Sequence, residues 1–253
     1  MLLQTIDDVI STLTTIVKDC EQAKNRSGYF AALYKRMTIA VKDGMDKGAF
    51  MDADRMGKLD VVFASRYLNA YDAYNKNETC STSWKYAFDG CINESLTVIQ
   101  QLILGINTHI NLDLAIASAV VAPGDSIHKL EVDFNRINDV IASLFDDVQQ
   151  CLEDVWLPMK FLKKVGKTQQ TNVLNFSVGA ARKTAWANAI ILAGMNQNQQ
   201  QAYIQQMDSA VYHIAQKIIH PGFLESTLMK TIRMTEFDDV ARTIKLIDTT
   251  VVN

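Results

Sequence analysis

Apolar residues recur every three or four positions along nearly the whole chain, as they do on one face of an α-helix. Only 3 prolines and 11 glycines interrupt the 253 residues. This pattern favours an all-α fold over one in which strands and helices alternate. We therefore expect a single helical domain over residues 1–253, a multi-helix bundle of about 8–10 helices around a central apolar helix.

The apolar stripes and the breaks between them predict where most helices lie. Asp52 or Asp54 should cap the third helix. The predicted helices span residues 2–24, about 29–47, 52–74, 84–122 and 127–157. Three more helices are predicted: one around 178–189, one that begins within 196–206 and ends at 220–222, and one at 235–248. Residues 157–172, which contain Pro158 and Gly166, are the best candidate for a hinge within the domain.

The segment from Ile99 to Val121 is apolar nearly all round, which indicates a buried central helix. Its stripe consists of Ile99, Leu102, Ile103, Ile106, Ile110, Leu114 and Ala117. An unbroken helix over residues 84–122 would be about 58 Å long, which a compact domain seldom holds. We expect a kink or break near Gly90 or Gly105, and a break at Gly105 would expose backbone groups suited to a binding site.

A ladder of polar residues interrupts this apolar segment. His109 and Asp113 form one i,i+4 pair, and Asn107 and Asn111 form a second pair on the other flank. A buried carboxylate is costly unless it is paired, hydrogen-bonded or bound to a metal, so Asp113 requires a partner. Three interpretations stay open, namely a satisfied structural network, a binding or catalytic cavity, and a metal site.

Charged residues of the third predicted helix are candidate partners for the ladder. Asp60 and Arg66 flank its apolar stripe, which makes Arg66 a candidate partner for Asp113 and Asp60 one for His109. The alternative is that both are solvated boundary charges, which contribute little to stability.

Predictions also concern five residues later in the chain. Asp133 lies at the border of a stripe and is a possible site residue, whereas His128 lies away from that stripe and should be exposed. His220, beside a proline in a turn, should also face solvent, with the rim of a cavity as the alternative. Arg182 and Trp186 are spaced i,i+4, which predicts that they stack as a cation–π pair.

Two runs of sequence resemble an uncharacterised, mainly bacterial family of helical proteins that is catalogued as a domain of unknown function. The runs are GINTHINLDL at residues 105–114 and GAFMDADRMGKLDVVFASRYLNAY at residues 48–71. They contain the family elements Asp-x-x-Arg-Met, Phe-Ala-x-Arg-Tyr-Leu and His-Ile-Asn-Leu-Asp-Leu in the same order. The resemblance covers most of the chain and implies a common fold and site, to which Arg55, Asp60 and Arg66 would belong, but it supplies no activity.

A shorter fragment is similar to zinc-dependent phospholipases C and their nuclease relatives, whose helices carry Gly-x3-His-x3-Asp. Gly105, His109 and Asp113 fit this spacing. The chain departs from that pattern elsewhere, because Pro123 lies too far downstream and the next histidine is His128. Four histidines in total do not furnish the His-rich trinuclear cluster of those enzymes.

The composition argues against several classes of function. A net charge of −3 and a pI near 5.8 provide no basic field, so nucleic acid is not an expected partner. The first residues show none of the features of a signal peptide, so we expect none. No run of about twenty uninterrupted apolar residues is present, so we expect no membrane span. The four cysteines form no CxxC pair and indicate reduced thiols in a cytosolic protein, with a Cys80–Cys91 bridge as the one local alternative.

The leading hypothesis is an enzyme or small-molecule-binding protein with a cavity between helices. His109 would act as the acid, base or hydrogen-bond donor, and Asp113 would orient it. Asp113 favours the protonated imidazole whereas burial opposes it, so the direction of the His109 pKa stays open. The candidate binding residues are Asn107, Asn111, Arg66, Asp60 and Arg55, of which the two asparagines have the alternative role of bracing neighbouring helices.

Two further hypotheses compete with this one. The first is a structural or interaction module in which the same residues form a satisfied polar network. The second is metal-dependent hydrolysis by His109, Asp113 and one more carboxylate. The sequence specifies no cofactor, and it leaves the substrate and the oligomeric state open.

Overall fold

A computed structural model of the protein describes residues 3–137 and 178–249. The all-α prediction is confirmed, since these two parts contain helices and no strand. The elements are α1 (Ile6–Ala23), α2 (Ser27–Asp46), α3 (Ala53–Asn75), α4 (Thr82–Ile92), α5 (Val98–Thr108), a π-helical turn (His109–Asp113), α6 (Leu114–Val121), α7 (residues 127–137), α8 (Val178–Ala193), α9 (Gln197–Ile219), α10 (Phe223–Thr235) and α11 (Val240–Asp248). The proposed hinge at residues 157–172 lies outside the described residues.

Side-chain caps explain where several helices begin. Asp52 accepts a hydrogen bond from the backbone N–H of Arg55 at the start of α3, which confirms one of the two predicted caps. Ser81 accepts one from Trp84 in the same way at the start of α4. Thr97 opens α5 with a reciprocal capping box, because Gln100 in turn accepts from the backbone N–H of Thr97.

The chain breaks after α4 and then continues as one long helix. The break lies at residues 93–97, just beyond Gly90, which is one of the two expected places. The helix does not break at Gly105, the other expected place. This glycine instead allows Phe30 to pack closely against the helix, since an added Cβ would lie 2.5 Å from ring atoms of Phe30. α5, the π-helical turn and α6 therefore run continuously from Val98 to Val121, and we call this segment the central helix.

The central helix forms the middle of the bundle. α2, α4 and α9 pack against α5, and α3 and α8 pack against α6. Leu104, Leu112, Ala115 and Ala117 are fully buried along it. By length and composition the central helix could cross a membrane, but 83% of its most apolar window is buried inside the protein, as in the core helix of a globular fold.

Two local predictions in the second half of the chain are wrong, namely a cation–π pair within α8 and the start of the last helix. Arg182 stacks on Phe134, with its guanidinium carbon 4.5 Å from the ring centroid, instead of on Trp186. Phe134 comes from α7, a different helix, and its ring also contacts Trp186 at 4.7 Å. The pair within one helix is therefore replaced by a contact between helices, which the spacing along α8 does not reveal.

The last helix begins later than the sequence predicts. α10 continues to Thr235, and α11 begins at Val240 after the capping residue Asp239. Glu236, at the start of the predicted helix 235–248, instead accepts a hydrogen bond from the backbone N–H of Val98 at the start of the central helix. The Glu236 carboxylate thus accepts a hydrogen bond from a residue distant in sequence instead of capping a helix nearby.

Three cysteines lie in the described residues, and all three are free thiols. They are Cys20, Cys80 and Cys91. The alternative of a Cys80–Cys91 disulfide is therefore wrong, and the expectation of reduced thiols holds for this part of the chain. Cys151 lies outside it.

Candidate functional site

The π-helical turn places His109 and Asp113 side by side. Its wider turn is closed by a hydrogen bond from the N–H of Leu114 to the carbonyl of His109, five residues earlier. The imidazole Nδ1 lies 3.1 Å from Oδ2 of Asp113. Both residues are buried, with Asp113 only 1% exposed.

Asp113 is held by three nitrogen donors from three parts of the fold. Arg66 on α3 donates from Nε to Oδ1 at 2.9 Å, and Trp84 on α4 donates from its indole N–H to Oδ2 at 2.8 Å. His109 supplies the third contact. The carboxylate therefore has the partners that a buried charge requires, and these donors fix its position.

The contact with Asp113 sets the tautomer of His109. A carboxylate that is surrounded by donors acts as an acceptor, so the imidazole hydrogen lies on Nδ1 and Nε2 keeps its lone pair. Burial lowers the pKa of His109 below its usual value, although the hydrogen bond to Asp113 opposes this effect. The effect of burial on the His109 pKa thus exceeds that of the Asp113 carboxylate. At neutral pH this favours a neutral imidazole whose Nε2 can accept a hydrogen bond.

Aromatic side chains fix the plane of the imidazole. Phe63 stacks on it with the ring centroids 3.6 Å apart and the planes within 8° of each other. Tyr34 meets it edge-on at 4.4 Å, and Phe30 does so at 5.7 Å. Ring contacts on this scale prevent the imidazole from turning away from Asp113.

His109 lines a cavity of about 140 Å³ between α2, α3 and the central helix. Its walls are formed by the apolar stripes of these helices, with smaller contributions from α7 and α8. The lining residues are Phe30, Leu33, Tyr34, Met37, Thr38 and Val41 on α2, Met56, Leu59, Asp60 and Phe63 on α3, Ile106, His109, Ile110 and Leu114 on the central helix, and Ile137, Val178 and Arg182.

Three polar atoms of the cavity residues are buried without a hydrogen-bond partner in the described parts of the chain. They are Nε2 of His109, the hydroxyl of Tyr34 and Oδ2 of Asp60. Burial raises the pKa of Asp60 to about 7 and raises the pKa of Tyr34 well above its ordinary value. Tyr34 therefore keeps its proton at neutral pH, and Asp60 carries a proton for much of the time.

Arg182 is the cationic residue of the cavity lining, and it is anchored. Its guanidinium donates to the backbone carbonyl of Phe134 and lies over the ring of the same residue. Burial lowers the pKa of Arg182 to about 10, so the side chain remains charged at neutral pH.

The structure divides the predicted site residues among three places. His109 and Asp60 line the cavity without a direct hydrogen bond between them in the described residues, and Arg66 and Asp113 lie immediately behind His109. Asn107 belongs elsewhere, since it donates to the carbonyl of Val211 on α9 at 3.0 Å.

Asn111 shares that bracing contact. Its amide donates to Oδ1 of Asn107 at 3.1 Å, so the two asparagines together tie the central helix to α9. Of the two roles left open by the sequence, the described contacts match bracing. Neither asparagine is in the cavity lining.

Arg55 lies in a second cluster at the start of α3. It donates to the carbonyl of Lys129 at 2.9 Å, and its guanidinium is 3.7 Å from the carboxylate of Asp133. Asp133 accepts from the backbone N–H groups of Met51 and Asp52. These contacts hold the loop before α3 against α7, and none of the residues belongs to the cavity lining.

Sequence analysis did not single out three important residues of the site. Tyr34 and Phe63 occupy positions in apolar stripes that look like ordinary core, and Trp84 simply opens a helix. Tyr34 and Trp84 offer one signal, because a buried hydroxyl or indole N–H requires a partner, whereas Phe63 offers none.

The metal-site hypothesis gains no ligand set from the described residues. No group of three or more His, Cys, Asp or Glu side chains lies together in them. Around Asp113 the other contacts come from Arg66 and Trp84, whose N–H groups donate hydrogen bonds and do not ligate metals.

Comparison with known proteins identifies a family but no activity. A model of a family of unknown function, DUF5995, matches residues 6–221. This range includes every residue of the cavity lining. No curated protein and no solved structure matches the chain.

Proposed function

The chain belongs to DUF5995, a family of unknown function, and we propose that it binds a small, mainly apolar molecule through one hydroxyl or carbonyl group in the cavity beside His109. One observation carries this proposal: three buried polar atoms that lack partners in the described residues occur among the residues of one apolar cavity. Each such atom costs about 1–3 kcal/mol of stability. A ligand that hydrogen-bonds to them recovers part of this cost, which favours its binding.

The volume of the cavity limits the ligand. An apolar cavity of about 150 Å³ in another protein accommodates benzene, so 140 Å³ corresponds to roughly six to eight heavy atoms. The walls are aromatic and aliphatic, which favours an apolar body over a charged one.

The polar atoms limit its chemistry further. The Tyr34 hydroxyl is a donor, Asp60 is a donor when protonated, and Nε2 of His109 is an acceptor. A hydroxyl group on the ligand can donate to Nε2 and accept from Tyr34, and a carbonyl oxygen can accept from Tyr34 and Asp60. One oxygen-bearing group can therefore pair with two of the three polar atoms.

A satisfied structural network is the second candidate function, and the contacts of Asp113 favour it. The Asp113 carboxylate accepts hydrogen bonds from Arg66, Trp84 and His109, as a purely structural role requires. This alternative does not account for the cavity, or for the atoms of Tyr34 and Asp60 that have no partner in the described part of the chain.

Direct titration with small probes tests the proposal. Phenol and cyclohexanone, each with one oxygen, are added to the ¹⁵N-labelled protein, benzene serves as the apolar reference, and amide chemical shifts report binding. We expect both oxygen-bearing probes to bind with a Kd at or below about 1 mM. Shift changes should concentrate on α2, α3 and the central helix.

Two matched variants separate polar recognition from simple filling of a void. Tyr34→Phe and Tyr67→Phe each remove one buried hydroxyl that lacks a partner in the described residues, but only Tyr34 lines the cavity. Tyr34→Phe should weaken phenol and cyclohexanone binding about 3- to 10-fold and leave benzene unchanged, whereas Tyr67→Phe should change neither. Absence of binding by all probes, or equal affinities in the two variants, would overturn the proposal.

A further inference from the structure

We infer that the cavity catalyses proton transfer at the carbon atom next to the carbonyl group of a small, apolar ketone or aldehyde. This inference rests on the proposed function, because the carbonyl compound must bind before it reacts. The cavity residues combine one basic nitrogen with two hydroxyl donors, all buried and without partners in the described residues. Removal of such a proton needs a base at the carbon and donors at the oxygen.

His109 has the properties of the base. Its Nδ1 is engaged by Asp113, and Asp113 is itself fixed by Arg66 and Trp84, so Nε2 is left as a neutral acceptor. The stacked ring of Phe63 restricts the imidazole further. Binding alone does not require such a constrained ring, whereas a base must meet the proton in one orientation. Asp113 acts through His109 and is a positioning residue.

Tyr34 and Asp60 have the properties of the donors. Removal of the proton places negative charge on the carbonyl oxygen, whose two lone pairs match the two hydroxyl groups. Burial keeps both donors protonated over a useful range, since the pKa of Asp60 is raised to about 7 and that of Tyr34 lies higher. A protonated carboxyl group beside a tyrosine is an established way to stabilise such an oxygen.

The chemical step balances within the site. The C–H bond breaks, its proton forms a bond to Nε2 of His109, and its electron pair forms the carbon–carbon double bond of the enolate. The carbonyl oxygen carries the negative charge and accepts hydrogen bonds from Tyr34 and Asp60. Return of the proton, to the same carbon or to a conjugated one, regenerates neutral His109 without any other reactant.

Deuterium exchange measures this step directly. Cyclohexanone is incubated with the protein in D₂O, and ¹H NMR follows the loss of signal from the carbons beside the carbonyl, with the buffer-catalysed rate subtracted. The variants are His109→Phe, Tyr34→Phe and the control Tyr67→Phe. Cyclohexanone affinity is measured on the same samples from amide shifts, so that binding and exchange are separated.

We expect wild type and Tyr67→Phe to accelerate exchange equally. His109→Phe should lower the protein-dependent rate at least 100-fold, and Tyr34→Phe should lower it about 10- to 100-fold, beyond its effect on affinity. Cyclohexanone that binds without accelerated exchange would overturn this inference and leave the proposed function standing. Absence of binding would overturn both.

The pH profile gives a second readout that a structural role would not change. The titratable groups that line the cavity with Asp60 are Tyr34 on α2, His109 on the central helix and Arg182 on α8. The wild-type rate should fall as the pH rises through about 7, because Asp60 then loses its donor proton. Asp60→Asn should lower the rate several-fold at pH 6 and abolish this fall. A wild-type rate that is independent of pH between 6 and 8 would contradict the role of Asp60.

Discussion

His109 joins two polar regions of opposite character. At Nδ1 it contacts Asp113, a carboxylate with nitrogen donors from Arg66 and Trp84 as well. At Nε2 it has no partner in the described residues, and Asp60, a second buried carboxyl group in the same cavity lining, has none for Oδ2. Both carboxyl groups are buried, but within the described residues only Asp113 has partners for both of its oxygens.

The difference separates a structural contact from the site of the proposed binding. A buried carboxylate with several fixed donors holds helices together, as Asp113 does for the central helix, α3 and α4. A carboxyl group without partners in an apolar cavity reduces stability, and proteins tend to tolerate such costs at functional sites. Under the proposed function, Asp60 marks the ligand-binding side of His109, whereas Asp113 marks the structural one.

The largest effect should follow from removing the satisfied carboxylate. Asp113→Ala leaves the buried indole N–H of Trp84 and the imidazole of His109 without their acceptor, and it also removes the partner of Arg66, which is one-third exposed. We expect a loss of about 3–4 kcal/mol in the free energy of unfolding, measured by urea denaturation. Asp72→Ala is the control, since its pair with Lys76 is exposed and should contribute little to stability. Similar losses in the two variants would remove the contrast.

A smaller effect, of opposite sign at high pH, should follow from neutralising Asp60. Its pKa is raised to about 7 in the folded protein from an ordinary value of 3.8, so the folded state holds this proton where the unfolded state has released it. This contribution is fully present below about pH 4 and is lost as the pH rises to about 7. Between pH 5 and pH 8 wild type should therefore lose roughly 3 kcal/mol through Asp60.

Asp60→Asn should abolish that loss and be more stable than wild type at pH 8. Urea unfolding at pH 5 and pH 8 checks this, with Asp54→Asn, an exposed carboxyl on the same helix, as the control. If wild type and Asp60→Asn respond equally to pH, Asp60 has a partner in solution and the two carboxyl groups are alike.

The smallest effect should follow from disturbing the packing beside the cavity. Gly105→Ala places a methyl group 2.5 Å from the ring of Phe30, which is a cavity wall, and overpacking of this kind costs about 1–3 kcal/mol. Gly57→Ala is the matched control, because its Cβ meets only the flexible end of Met45 at 3.3 Å. We expect Gly57→Ala to gain about 0.5–1 kcal/mol from helix propensity, measured by urea denaturation. A stabilising Gly105→Ala would show that the wall beside His109 is loosely packed.

Local patterns were sufficient for most of the helices. Period-3.6 stripes place α1, α2 and α3 to within a few residues, because one face of each helix must be buried whatever its neighbours are. Caps such as Asp52 and Ser81 were also predictable, since their partners lie three residues away. The prediction failed where distant contacts decide, as for Glu236, whose partner Val98 lies far away in sequence.

The candidate site was predictable only in part. His109, Asp113, Arg66 and Asp60 stand out because charged and imidazole groups beside apolar stripes require an explanation. The sequence did not separate them from Arg55, which binds the Lys129 carbonyl in another cluster. Polarity can be read from residue type, but whether a polar group has a partner depends on which helices meet.

The sequence alone determined an all-helical protein with a buried polar ladder on an apolar central helix, because helix periodicity and the cost of burying charge act within a short stretch of chain. The tertiary structure decided that Trp84 and Arg66 satisfy Asp113 while Tyr34, Asp60 and Nε2 of His109 remain unpartnered in the described residues. Hydrogen bonds and cavities require contact in space, and these contacts form only when α2, α3 and α4 pack around the central helix.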